Sequence, residues 1–217
     1  MECCRRYRVA AHLVMPDLDP NTNNSAGWED HYQRDHIPWD RGEPHPELIR
    51  VLRETPPAAN QRVLVPGCGR GHDALAWAEA GHQVTAVDIS PTALALATQS
   101  NPHPNITWLE ADLFALPKTL QGAFDLVWEH TSFCAIHPDQ RTEWAESMAR
   151  ALRPGGTLLG VFFTHPDKPL DEGPPFACRA TVLPGIIGEV LEEIQFGPVV
   201  AEFERREGAE SLGCWRR

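Results

Sequence analysis

Three glycines, Gly67, Gly69 and Gly71, stand at alternate positions in "VPGCGRG", directly behind the apolar run Val63-Leu64-Val65. Without a Cβ, such a turn lets a ligand approach the backbone. The spacing is G-x-G-x-G, whereas the dinucleotide fingerprint is G-x-G-x-x-G, and a tight structural turn is the competing explanation. Asp88 closes the next apolar run, "VTAVD", 19 residues past Gly69. A carboxylate there can accept hydrogen bonds from both hydroxyls of a ribose. Asp112, in "EADLF", closes a third run. It, or the backbone beside it, can reach an adenine amino group, or it can cap a helix. Three such features at three successive strand ends point together to a nucleoside-bearing ligand.

The elements that must hold these residues alternate regularly. "RVLVP", "HQVTAVDIS", "ITWLEADLF", "AFDLVWEH" and "TLLGVFFT" read as strands. Residues 72–80, "PTALALATQS" and "HPDQRTEWAESMARALRPGG" read as helices, with Ser90-Pro91 a helix start and Trp144, Met148 and Leu152 along one face. "PELIRVLRE" has Leu48, Ile49 and Leu52 at helical spacing, and "AGWEDHYQRDH" reads as a short helix. Near the end, "IIGEVLEEI" reads as a helix, and "VVAEFERRE" and "SLGCWRR" as edge segments. Strands alternating with helices give an α/β fold with a mostly parallel sheet buried on both faces.

Composition narrows the function. The chain has 217 residues and a formal net charge of −11, without a basic stripe, so nucleic acid is a poor partner. The cysteines, Cys3, Cys4, Cys68, Cys134, Cys178 and Cys214, form no C-x-x-C pair and read as free thiols of a reducing compartment, the cytoplasm. The ten histidines show no H-x-x-x-H spacing, so no metal site is expected. No segment is long and apolar enough to cross a membrane. Residues 1–24 are expected to be a disordered tail, with translation starting at Met15 as one possibility; residues 25–217 are expected to form a single domain. A monomer is expected.

Taken in order, "VLVPGCGRGHD", "VTAVDIS", "EADLF", "FDLVWEHTSFCAIHP" and "LRPGGTLLG" resemble class I S-adenosylmethionine-dependent methyltransferases. "PWDRGEPHPEL", "EGPPF" and the terminal "LG.W" resemble, more narrowly, the thiopurine S-methyltransferase superfamily and its halide/thiocyanate/thiol branch. The resemblance spans roughly residues 28–217. It implies a Rossmann-like, doubly wound sheet of seven strands with the last strand antiparallel, an N-terminal helical lid, and S-adenosylmethionine as methyl donor, leaving as S-adenosylhomocysteine. It implies donor contacts at Gly67, Gly69, Asp88, Ile89, Asp112, Leu113 and Glu129.

The polar segment "WEDHYQRDHIPWD" carries Trp28, Tyr32 and Trp39, aromatics able to cover the donor and face its sulfonium. Tyr32 departs from the Trp common in plant members. The acceptor, a small molecule, would sit against Trp39, His130, Phe133, Phe163, His165 and Phe176. Where the plant halide enzymes commonly carry Tyr, this chain has His130, a possible general base for a thiol or a satisfied strand-end residue. Cys134 reads as a small buried residue. The activity implied is methyl transfer to a thiol, hydrosulfide, thiocyanate or halide. The alternatives are an aromatic thiol, a selenium or tellurium oxyanion, or donor binding without catalysis.

Overall fold

In a computed structural model the described residues are 25–164, 169, 172–176, 178–204 and 206–217. The expectations for residues 1–24 and for His165 therefore lie outside the described residues. Along the chain come α1 (Ser25–Gln33), α2 (Pro46–Glu54), β1 (Arg62–Pro66), α3 (His72–Glu79), β2 (Gln83–Asp88), α4 (Pro91–Ser100), β3 (Ile106–Glu110) and β4 (Phe124–Glu129). They are followed by α5 (Arg141–Ala151), β5 (Leu152–Phe163), α6 (Leu183–Gly188), β6 (Glu192–Pro198) and β7 (Glu210–Arg216).

The seven strands form one sheet in the order β3-β2-β1-β4-β5-β7-β6. All neighbours from β3 to β5 are parallel, while β7 runs antiparallel to both β5 and β6. Chain direction across the sheet reverses between β1 and β4, the switch point beyond whose carboxyl ends open α/β sheets bind ligands.

Alternation along the strands divides the core. Val63, Val65, Leu126, Trp128 and Val161 pack with Trp77 and Leu48 under α2 and α3. Leu64, Val127, Leu158 and Phe162 face the other way, onto Trp144, Met148 and Leu183 of α5 and α6. Ser90 caps α4, its hydroxyl accepting from the Ala93 N–H at 3.0 Å, with Pro91 in the first turn.

Four features differ from the sequence reading. On α2 the buried apolar positions are Leu48 and Val51, and Ile49 points to solvent. Helix α5 ends at Ala151, and Leu152 already pairs with Phe124, so "RPGG" belongs to β5, where Gly155 takes φ +76° at an irregularity. "IIGEVLEEI" is not one helix: α6 stops at Gly188, and "EEIQFGP" is the edge strand β6. "VVAEFERRE" is not a strand. Its Val200 and Ala201 N–H groups donate to the buried Glu47 carboxylate, and Val199 and Phe203 are buried beside it. A side-chain acceptor replaces the strand ladder there, which periodicity does not reveal.

Candidate functional site

The glycine loop lies at the carboxyl end of β1, and all three glycines adopt the left-handed region, with φ +57°, +51° and +78° at Gly67, Gly69 and Gly71. That conformation alone favours glycine. Space adds a second reason. A Cβ on Gly67 would sit 2.8 Å from Ser132 Cβ, and one on Gly69 2.8 Å from the Tyr32 hydroxyl oxygen, while Gly71 would drive a Cβ into the Trp108 ring. At these three positions the missing Cβ thus makes room for the protein's own side chains.

Asp88 ends β2 beside this loop and is 6% exposed. One carboxylate oxygen accepts from Gly69 N–H at 2.8 Å and the other from Ser90 N–H at 3.0 Å. A carboxylate has about four acceptor sites, and with the Ile89 N–H also pulling on it one stays open. Burial raises the Asp88 carboxyl above its ordinary range, against the pull of these N–H groups. A hydroxyl donor would relieve that penalty, and a ribose supplies one: the loop and carboxylate fit the adenosine half of S-adenosylmethionine. Ile89 follows, half-buried. Across β3, Asp112 is exposed and accepts from Phe114 N–H at 2.9 Å, the turn role that competes with adenine contact. Leu113 is half-buried against the α5 side of the core.

The entry segment is folded over this loop. Trp39 stands edge-on to Trp28 and Tyr32, with ring centroids 5.4 and 5.9 Å away, and its indole N–H reaches the Tyr32 hydroxyl at 3.4 Å. Tyr32 is buried. Two latches hold the segment down. Glu29 of α1 accepts from the Ser90 hydroxyl at 2.6 Å and from the hydroxyl and N–H of Thr92 at 2.5 and 3.1 Å, at the start of α4. Asp40 meets His72 at 3.1 Å and Arg70 at 3.4 Å, at the glycine loop.

On the far side of the switch point, Glu129 ends β4 fully buried. It accepts from Phe133 N–H at 2.8 Å and closely from the Ser132 hydroxyl, and it fills the space above Gly160, where a Cβ would meet its own Cβ at 2.5 Å. Burial pushes its carboxyl up to about 7 although these donors and His130 pull the other way. His130 Nδ1 lies 3.0 Å from an oxygen of Asp73, which also accepts from the Trp128 indole N–H at 2.9 Å and His45 N–H at 2.8 Å. Asp73 is in the first turn of α3, where the helix dipole favours negative charge. Burial would raise its carboxyl, but His130 and the N–H donors outweigh that and hold it low, so Asp73 is ionised. It therefore accepts from His130 Nδ1–H, and Nε2 is the ring nitrogen left over. That nitrogen is shielded from solvent and has no hydrogen-bond partner among the described residues.

The fold also gathers what local spacing could not. Ring nitrogens of His45 and His130 and a carboxylate oxygen of Glu210 lie within 4.8 Å of one another. His45 Nδ1 accepts from Glu47 N–H at 3.0 Å, so its proton is on Nε2, which donates to Glu210 at 2.9 Å. In this tautomer His45 offers the cluster an N–H and no lone pair for a metal. Burial comes first among the influences on Glu210 and would raise it, but His45 and Arg206, whose Nη1 donates to it at 2.8 Å, bring it to about 2.

The aromatic residues expected around the acceptor are deeply placed. Phe133 is in the core, 5.1 Å from Trp144 and 5.6 Å from Phe162 by ring centroids, with the Arg141 guanidinium 5.0 Å above its ring. Phe163 is half-buried with Arg206 5.6 Å over it. Phe176 is buried, its N–H donating to Cys134 O at 2.7 Å, and its carbonyl accepts from Arg141 at 3.0 Å. Cys134 is buried and burial pushes its thiol up to about 12, which suits the reading as a packing residue.

Glu29, Asp40, His45, Asp73 and Glu210 were not singled out from sequence. Asp73 had a signal, an acid in the first turn after a glycine loop, and His45 had one in the Pro that follows it. Glu210 had none.

The thiopurine S-methyltransferase family model matches residues 23–211. "Probable thiol methyltransferase 2" of Arabidopsis thaliana is 35% identical over 90% of this chain and 86% of its own. "Thiocyanate methyltransferase 1" of Arabidopsis thaliana is 34% identical with the same coverages, 90% and 86%. A "Thiopurine S-methyltransferase" of Shewanella sp. (strain MR-4) is 25% identical over 71% of this chain and 77% of its own. Among solved structures, the Burkholderia thailandensis 1,6-didemethyltoxoflavin-N1-methyltransferase, with bound S-adenosylhomocysteine, superposes with TM-score 0.70 at 20% identity, covering 89% of this chain and 86% of that one. An S-adenosylmethionine-dependent methyltransferase of Mesorhizobium loti does so with TM-score 0.62 at 20% identity, covering 79% and 96%. A nucleoside-fitting carboxylate beside the glycine loop, this sheet order and these matches lead to one conclusion: the chain belongs to the thiopurine S-methyltransferase family of S-adenosylmethionine-dependent methyltransferases.

Proposed function

We propose that the acceptor is a small, soft nucleophile: a thiol, hydrosulfide, thiocyanate or halide ion. The observation that carries this reading is the pairing of apolar rings with guanidinium groups beyond β4 and β5, Arg141 over Phe133 and Arg206 over Phe163. Apolar rings strip water from an attacking atom, and the Arg141 guanidinium adds positive charge beside Phe133, while that of Arg206 is shared with Glu210. The activities for which the two Arabidopsis relatives are named support the same class.

In this proposal Gly67, Gly69, Asp88, Ile89, Asp112 and Leu113 hold the adenosine part of the donor. Trp28, Tyr32 and Trp39 cover it, and Glu129 shapes the turn beside it. When bound, S-adenosylmethionine supplies an electrophilic methyl group on a leaving group that needs no help. The protein's share is alignment of the attacker and exclusion of water. The protein works as a cytoplasmic monomer; the unpaired state of Cys68, Cys134, Cys178 and Cys214 supports a reducing compartment.

The test is a headspace assay. Purified protein and S-adenosylmethionine are offered iodide, bromide, chloride, thiocyanate, hydrosulfide and methanethiol separately, and methylated product and S-adenosylhomocysteine are both quantified. Turnover with at least one of these is expected. Donor binding with silence across the panel refutes the proposal.

A further inference from the structure

We infer that Asp73 is a positioning residue that holds His130 as the proton acceptor for a thiol, so that the acceptor enters this site as the protonated S–H form. This rests on the proposed soft-nucleophile site and says how a thiol is activated there.

The geometry has three parts. First, Asp73 fixes the His130 tautomer: an ionised carboxylate 3.0 Å from Nδ1 keeps the proton there and leaves Nε2 as acceptor. Asp73 is itself anchored by Trp128 and by the His45 backbone, so the ring cannot turn without breaking that network. Second, Nε2 is shielded from solvent and has no partner among the described residues, a costly state that an S–H donor would relieve. Third, His130 follows the last residue of β4, and the glycine loop follows the last residue of its parallel neighbour β1, so both stand at the same end of the sheet.

The charges around the ring suit a proton arriving. Asp73 from α3, Glu210 from β7 and Glu129 from β4 supply carboxyl groups. His45, Arg206 and Arg41, which stacks 5.8 Å over Phe203 beside the His130 ring, are the basic groups. An imidazolium formed here lies against Asp73 and within reach of Glu210, whereas a hard anion would meet those carboxylates.

The step balances as follows. The S–H proton passes to His130 Nε2. The sulfur lone pair forms a bond to the methyl carbon as the methyl–sulfonium bond breaks, its electron pair staying on the donor sulfur. A thioether and S-adenosylhomocysteine result, and the imidazolium returns its proton to water.

The magnitude follows from the thiol. With a reference pKa of ~8.5, about 1% is thiolate at pH 6.5, so a working base is worth up to about 100-fold there and little above pH ~9. The experiment compares the parent protein with Asp73→Asn and His130→Gln. Methyl transfer to L-cysteine, methanethiol and iodide is followed from pH 6 to 9.5, with S-adenosylhomocysteine affinity measured alongside. In both variants the ratio of thiol to iodide turnover is expected to fall 10- to 100-fold at pH 6.5 and to return by pH ~9. His130→Gln guards against poor folding of Asp73→Asn, because Gln can still donate to Asp73. Histidine ¹⁵N spectra give a readout independent of turnover: His130 is expected as the Nδ1–H tautomer in the parent protein and not in Asp73→Asn.

Equal loss of thiol and iodide turnover, unchanged thiol turnover, a parent protein that turns over iodide but no thiol, or an Nε2–H tautomer each overturns the inference. The site reading survives them; it falls only if nothing is methylated while S-adenosylhomocysteine still binds.

Discussion

Replacing Glu29 by Ala removes the latch between the entry helix and the start of α4. Burial is the first influence on this carboxyl and would raise it, but the donors of Ser90, Thr92 and Gln33 bring it from 4.5 down to about 2. Taken at face value, that fall is worth ~3 kcal/mol. Much of the side chain meets water, so the latch is discounted to about 1 kcal/mol. If the aromatic cover must close for the donor to be held, the loss appears as weaker S-adenosylhomocysteine binding, by about five-fold. Calorimetric titration of the variant at pH 7 measures it. The sign of the pH dependence is fixed too. A carboxyl lowered in the folded protein contributes fully above 4.5 and loses its contribution only as pH falls towards 2. The parent-to-variant ratio of affinities is therefore flat from pH 6 to 9. An affinity unchanged within experimental error, with the melting temperature also unchanged, would refute the reasoning that Glu29 holds the cover closed.

Gly71→Ala is expected to destabilise the fold by at least ~2 kcal/mol, because φ is +78° and the new methyl meets Trp108 and Ala97; a thermal melt should fall by several degrees. Glu129 makes the opposite pH prediction to Glu29. Its carboxyl rises to about 7 in the folded protein, which binds more protons than the unfolded chain between 4.5 and 7. Its contribution thus loses stability as pH climbs through that window. Urea unfolding from pH 5 to 8 should show Glu129→Gln lacking this part of the slope.

What the sequence disclosed followed from local physics. Val63, Leu64 and Val65 form an unbroken apolar run because β1 is buried on both faces, and Ser90-Pro91 starts a helix by capping it. Asp88 was legible because its strand, its spacing from the glycines and its chemistry agreed. The reason for the glycines was only half legible: positive φ could be expected, but not that Tyr32 and Ser132 claim the space above Gly69 and Gly67. The end of the chain misled because "IIGEVLEEI" suits a helix as well as a strand, and β6 becomes a strand through pairing with residues beyond it. The His130 network was hidden for a plainer reason. His45 and Glu210 are 165 positions apart, and no periodicity spans that distance.

The placement of β7 bears on how the molecule is assembled. Strand β6 pairs with β7 alone, so it has no partner in the sheet until β7 has threaded between it and β5. Until then β5 is an open edge able to recruit a strand from another chain. The first residue of β7 is Glu210, which tethers His45, so one threading event both seals the edge and completes the polar cluster beside the proton acceptor. A chain stalled before that event would have its donor-binding half built and its chemical half missing. Such a species would take up the donor without using it and would be prone to associate through its edge. Slow steps in refolding should thus delay turnover more than donor binding.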